Sequence, residues 1–179
     1  MKTLCITLLC ALFVGQVYSV ETIESPDTNV ENGWKYTLIN NGTEYSVSRT
    51  ERIAGAVVIP TIWKGKKVTA IADDAFSYCI QMASVSIPNS ITSIGYGAFG
   101  NCTQLNNVTI PASVTNLGLF TFAGCSRLAT VVFLSRIPPV AKGQIFALTP
   151  AKVYVPAGTV DAYRAATGWA DSYDKIVSQ

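Results

Sequence analysis

Between Ile71 and Phe133 one pattern of residues is written nearly three times over: IADDAFSYCIQMASVSIPNSITS, IGYGAFGNCTQLNNVTIPASVTN and LGLFTFAGCSRLATVVFLSRIPP. Phe76, Phe99 and Phe122 recur at one fixed interval. Cys79, Cys102 and Cys125 keep the same interval, as do Met82, Leu105 and Leu128, then Ile87, Ile110 and Phe133. A fixed period of ~23 residues is the mark of a solenoid, in which each unit buries its apolar side only by stacking on the next. The expected fold is therefore mainly β, a short solenoid with parallel strands. It leaves little freedom for any other packing.

Within each unit the strand residues alternate. Val57/Ile59, Val85/Ile87, Val108/Ile110, Val131/Phe133 and Val153/Val155 are the inward positions, with the Phe column closing the core from the opposite side. The outward positions form two columns: Ala56, Ser84, Asn107, Thr130, Lys152 and Val58, Ser86, Thr109, Val132, Tyr154. The first interval, from Val57-x-Ile59-Pro60 to Val85-x-Ile87-Pro88, is longer than the one that follows to Val108-x-Ile110-Pro111. The extra residues fall in Ile62 to Lys67, which the sequence reads as a loop bulging from the first coil. Trp63, Lys64, Lys66 and Lys67 there make a candidate patch for acidic sugars or anionic lipid, against a plain solvated turn with Trp63 tucked onto the first coil.

Both ends differ from the repeats. Trp34 to Ile39 and Glu44 to Ser48 alternate apolar and polar around Asn40-Asn41-Gly42-Thr43, the chemistry of a hairpin that covers the first unit. At the other end Ile137-Pro138-Pro139 breaks the rhythm, and Phe146 falls in a degenerate turn without the Cys. Lys152 to Val155 then gives a last strand. Thr159 is placed to cap a short helix over Val160 to Ala166 that Gly168 stops, and Trp169, Tyr173 and Ile176 supply apolar mass beyond it. The expected organisation is a single solenoid domain over 34–179, with an N-terminal hairpin cap (34–55), repeats (56–156) and a C-terminal short-helix cap (157–179).

Ahead of it, residues 1–19 have Lys2, an apolar run from Leu4 to Val14 and a small-residue ending before Val20, the plan of a cleavable signal peptide. That run is too short to span a bilayer, which takes roughly 20 residues. Residues 20–33 are polar and acidic, and read as a flexible lead. The chain is thus expected outside the cytoplasm, whether secreted, on the cell surface or periplasmic. Of the 13 Lys and Arg residues only Lys2 lies in the export segment, so 12 remain against 11 Asp and Glu. Near-neutrality without basic clusters argues against nucleic acid as a partner.

Three cysteines remain after residue 19, an odd number for a disulfide framework in an oxidising compartment. Sharing one place in the repeat, they stack at about the ~4.8 Å strand spacing with parallel side chains. Their Cβ atoms then sit farther apart than the ~3.8 Å usual in a disulfide. Free, buried thiols acting as small hydrophobes are the favoured reading, with redox or metal roles the alternative. No His occurs anywhere in the chain. A nucleophile would have to rely on a carboxylate or Lys as its base, and neither a phosphate loop nor a metal-ligand cluster is present. The adjacent carboxylates Asp73-Asp74 read as a capping or solvent-facing turn. The expectation is no enzyme, no cofactor and no metal site.

Aligned, the units give IP-x-S-[IV]-T-x-[IL]-G-x-x-[AT]-F-x-x-C, with Leu105-x-x-Val108-x-Ile110 at the strand. This resembles the BspA-like class of leucine-rich repeats, strongly over 56–134. The flanking Lys64-Gly65-Lys66-Lys67 insertion and the Val153-Tyr154-Val155-Pro156 closing module are also similar to that class. The resemblance implies an exported bacterial protein engaged in adhesion or other extracellular recognition of a protein or glycan. The surface it would use is the outward sheet face: Ser84, Ser86, Asn107, Thr109, Thr130, Val132, Lys152 and Tyr154. A structural or spacer module with no ligand on that face is the alternative.

Overall fold

The computed structural model describes residues 30–179, so the export segment and most of the flexible lead lie outside the described residues. Each coil runs through three sides: a wall of longer strands, a wall of mostly two-residue strands, and a tight turn carrying the Phe and Cys columns. The long-strand wall is built from β4 (Ala54–Val58), β7 (Gln81–Ser86), β9 (Asn107–Ile110), β11 (Thr130–Phe133), β13 (Lys152–Val155) and β14 (Ile176–Ser178), with every pairing parallel. The register keeps the repeat in phase, Asn107 opposite Thr130 opposite Lys152 and Thr109 opposite Val132 opposite Tyr154. Two features of this wall differ from the sequence reading. β14 adds a sixth strand, Val153 facing Ile176, where only a cap was expected, and the ladder is interrupted between β7 and β9.

A second wall faces it that no sequence pattern announced, because its strands are too short to show an alternation. β6 (Lys66–Ile71), β8 (Ser93–Ile94), β10 (Asn116–Leu117) and β12 (Val140–Ala141) pair in parallel, with Ile71, Ile94, Leu117 and Ala141 turned to the core. The N-terminal hairpin of β2 (Trp34–Ile39) and β3 (Glu44–Arg49) joins this wall and not the long one, through parallel pairing of β3 with β6. Val30–Glu31, read as part of the flexible lead, forms β1 and pairs antiparallel with β2.

The insertion expected to bulge is instead a second hairpin. β5 (Ile62–Trp63) folds back on β6 around Lys64-Gly65, both at positive φ, the backbone a two-residue turn needs to follow the strand twist. It projects no loop. Its Trp63 is buried and stacks flat on Tyr36 at 4.3 Å between centroids, edge-on to Tyr45 at 5.0 Å, with its indole N–H donating to Glu31 at 2.8 Å.

The core is an aromatic stack. Phe76, Phe99, Phe122 and Phe146 lie nearly parallel with centroid spacings of 5.2, 5.2 and 5.7 Å, and Trp34 closes the first end edge-on at 5.9 Å. At the other end Phe133, Tyr163 and Trp169 meet at tilted or edge-on angles, with the Trp169 N–H donating to the Pro139 carbonyl and the Tyr163 hydroxyl to that of Ser135. The helix α1 (Val160–Ala165) supplies Tyr163. Thr159 does not cap it with its side chain; its hydroxyl donates to Pro156 O at 2.7 Å. Tyr173 is half-exposed, so the apolar place assigned to it belongs to Tyr163. Gly168 does more than stop the helix, because a Cβ there would lie 1.8 Å from Ala141 O.

Candidate binding face

The three thiols are free and buried, stacked beside the Phe column. They do more than fill space. Cys102 Sγ donates to Phe76 O and Cys125 Sγ to Phe99 O, each at 3.1 Å, so these two thiols tie their coils to the ones before. In the degenerate coil Thr149 stands in the same column and its hydroxyl donates to Phe122 O at 2.6 Å, while accepting the Cys125 N–H. Burial pushes the Cys125 thiol up to about 11, and burial with the neighbouring thiols raises Cys102 further. A thiol held protonated is a poor nucleophile and metal ligand. Among the described residues no three His, Cys, Asp or Glu gather closely enough to hold a metal ion. Asp73 accepts the Tyr96 N–H at 2.7 Å, tying one coil to the next.

All eight residues of the candidate face lie on the long-strand wall. Ser84, Ser86, Asn107, Thr109 and Lys152 are exposed, and Thr130, Val132 and Tyr154 half-buried. Val177 extends the outer column beyond Tyr154. From Ala75 to Ser126 no charged residue occurs, so the centre of the wall offers hydroxyls, amides and small apolar groups. Where the ladder breaks between β7 and β9 the wall opens into a hollow of about 380 Å³ that gathers Ser86, Asn107 and Thr109. It does not include Ser84, Thr130, Val132, Lys152 or Tyr154. It does include Asn89 and Leu134, which the sequence reading missed because both lie past the strand ends, outside the alternating pattern. Of the loop patch, Trp63 is buried against the N-terminal cap with the ammonium of Lys64 4.6 Å from its ring centroid, and the exposed Lys66 and Lys67 lie on β6.

Stacked parallel strands, one residue column per repeat position and a solvent-facing wall define a leucine-rich-repeat solenoid. The sequence of residues 58–151 matches the BspA type leucine-rich repeat region in 6 copies, and the chain belongs to that family. It is similar in fold to a crystallised leucine-rich repeat protein of T. pallidum, at 19% identity and a TM-score of 0.58, covering 82% of this chain and 78% of that one. It is also similar to a leucine-rich cell surface protein of Faecalibacterium prausnitzii (21% identity, TM-score 0.54, 76% of this chain and 46% of that one). A third similar structure, a leucine-rich repeat protein from Eubacterium ventriosum, shares 19% identity at a TM-score of 0.50 over 80% of this chain and 38% of its own. The chain spans less than half the length of these last two. No curated protein is significantly similar in sequence. Among the described residues no helix is long and apolar enough to cross a membrane.

Proposed function

We propose that the protein is an exported, non-enzymatic recognition module that binds an extracellular protein or glycan through the long-strand wall. The observation that carries this reading is the hollow in the outward face at Ser86, Asn107 and Thr109, in the stretch from Ala75 to Ser126 that has no charged residue: donors and acceptors with no charge to desolvate. Family membership and likeness to a bacterial cell surface protein support the extracellular setting. The absence of His from the sequence and the structural employment of Asp73 and the thiols support a non-catalytic role. Six strands at ~4.8 Å make a wall only about 24 Å long, enough for a minimal interface, so tight attachment to a surface draws on several copies.

The test is a binding screen of the full chain, monomeric and clustered, against immobilised extracellular-matrix proteins and a glycan array. The expected result is a partner whose binding is lost in a Ser86→Ala, Thr109→Ala, Tyr154→Ala variant that melts at the parent's temperature. Silence on both panels, or a partner indifferent to those substitutions, would move the chain to a structural or spacer role.

A further inference from the structure

A larger hollow, of about 530 Å³, lies on the other side of the coil, where the short strands turn the corner. The outward column of the short wall, Ser93, Asn116 and Val140, forms one bank. Tyr96 and Leu119 form the other. Between them Gly95 and Gly118 leave a floor of bare backbone. Neither position admits a side chain: a Cβ on Gly118 would meet the Gly95 carbonyl carbon and the Tyr96 nitrogen at 2.4 Å, and one on Gly95 the Asp73 nitrogen at 2.6 Å. The close stacking of coils that demands glycine thus also opens the groove along the solenoid axis.

The groove crosses four coils, from Asp73 to Lys142. At ~4.8 Å per coil its length is about 14 Å. Its chemistry is ordered along that length. A carboxylate stands at one end and an ammonium at the other, with the hydroxyl of Ser93 and the amide of Asn116 between. The half-exposed Tyr96 ring stands nearly perpendicular to that of Phe120, with centroids 6.0 Å apart and planes at 83°. The balance of charge excludes a polyanion, since Lys142 is the sole cation lining it and Asp73 opposes it.

An extended peptide is also a poor occupant, because docking a strand takes free main-chain donors and acceptors. Here the corner amides are committed between coils: Gly95 N–H to Ile71 O, Gly118 N–H to Ile94 O, Lys142 N–H to Leu117 O and Gly97 N–H to Leu119 O, all within 2.8 to 3.2 Å. Recognition is left to side chains and one aromatic face. That combination suits a molecule covered in hydroxyl groups with an apolar ring face. The coil spacing is close to the length of one sugar residue, so equivalent positions on successive coils meet successive sugars.

We propose that this groove is a glycan subsite that takes a neutral, unbranched oligosaccharide along the solenoid axis, stacked on Tyr96 and hydrogen-bonded by Asp73, Ser93, Asn116 and Lys142. It does not depend on the long-strand wall being a contact surface. The test is calorimetric titration of the full chain with cellohexaose, xylohexaose, mannohexaose and chitohexaose. At least one binds with a Kd below about 1 mM. Its affinity falls about tenfold or more in Tyr96→Ala and in Asn116→Ala, survives in Tyr96→Phe, and is unchanged in the Ser86, Thr109, Tyr154 variant. Chemical-shift changes on adding the sugar, mapped on the unsubstituted protein, fall on residues 93–96 and 116–119, a readout that needs no variant to fold. Silence with all four sugars overturns the proposal, as does binding indifferent to Tyr96 and Asn116. Binding lost only in the long-wall variant also overturns it and leaves the wall as the glycan surface.

Discussion

The residues that hold the coils in register are often not those whose chemistry is most conspicuous. Cys102 and Cys125 are thiols used as hydrogen-bond donors, and Thr149 shows that a hydroxyl serves the same carbonyl one coil later. Their pKa values, raised by burial, make stability depend on pH. A thiol of ordinary pKa about 8.5 in the unfolded chain holds its proton more tightly when folded. The stabilisation is complete below that value and is lost as pH rises toward about 11 for Cys125. The melting temperature is therefore expected to be flat near neutrality and to fall above pH ~8.5. A Cys102→Thr, Cys125→Thr variant should have a shallower fall up to pH ~10, where tyrosines begin to ionise. An equal slope in both proteins would show that the thiols are not the titrating groups.

Tyr78 is a second case at this scale. It sits at positive φ, where the next coils have Asn101 and Gly124. That left-handed conformation costs a bulky residue on the order of 1 kcal/mol. Its ring is half-exposed, with Arg52 6.0 Å away, so little packing is at stake. Tyr78→Asn should raise stability by about 0.5–1 kcal/mol in thermal or denaturant unfolding. A loss would mean that the ring makes contacts worth more than the strain.

At the scale of the element, the third side of the coil is held by a ladder of its own. Asp74, Phe76 and Tyr78 donate their amides to Tyr96, Ala98 and Gly100, each at 2.8 Å, and the next coil repeats this from Gly97, Phe99 and Asn101. Every second amide of this turn thus donates to the next coil, and positive φ recurs in it at Asp74, Tyr78, Gly97 and Asn101. The Phe stack runs just inside this ladder. Replacing Phe99 by Ala removes a fully buried ring from between two others and should cost roughly 3 to 5 kcal/mol. Because a solenoid coil touches only its neighbours, amide exchange should quicken in the coils of Phe76 and Phe122 as well. Exchange confined to the mutated coil would argue against coupling through the stack.

For the whole molecule the caps decide whether so short an array is soluble. The N-terminal unit protects β6 by strand pairing and seats Trp63 between Tyr36 and Tyr45, while Trp34 covers Phe76. Removing residues through Arg49 would bare a strand edge and an aromatic end together, which invites pairing between copies. The truncated chain should elute as larger species with rising concentration and scatter light, whereas the intact one should not. A truncated chain that stays monodisperse would show that the first coil needs no cover.

The repeat by itself determined the long wall, its inward valines and isoleucines, the Phe and Cys columns and the need for caps, because a fixed period with apolar residues at constant places has one way to bury them. It also placed the eight residues of the candidate face, since alternation along a strand decides which side chains face out. Only the tertiary structure decided what the local pattern could not carry. Two-residue strands are too short to alternate, so the short wall and the groove beside it were invisible. The hairpin at Lys64-Gly65 decides between the two readings of Trp63: pairing β5 with β6 and stacking the indole on Tyr36 bury it as a cap residue. Which wall the first hairpin joins depends on contacts between segments far apart in the chain, such as Val47 opposite Ile71, and no local pattern records them.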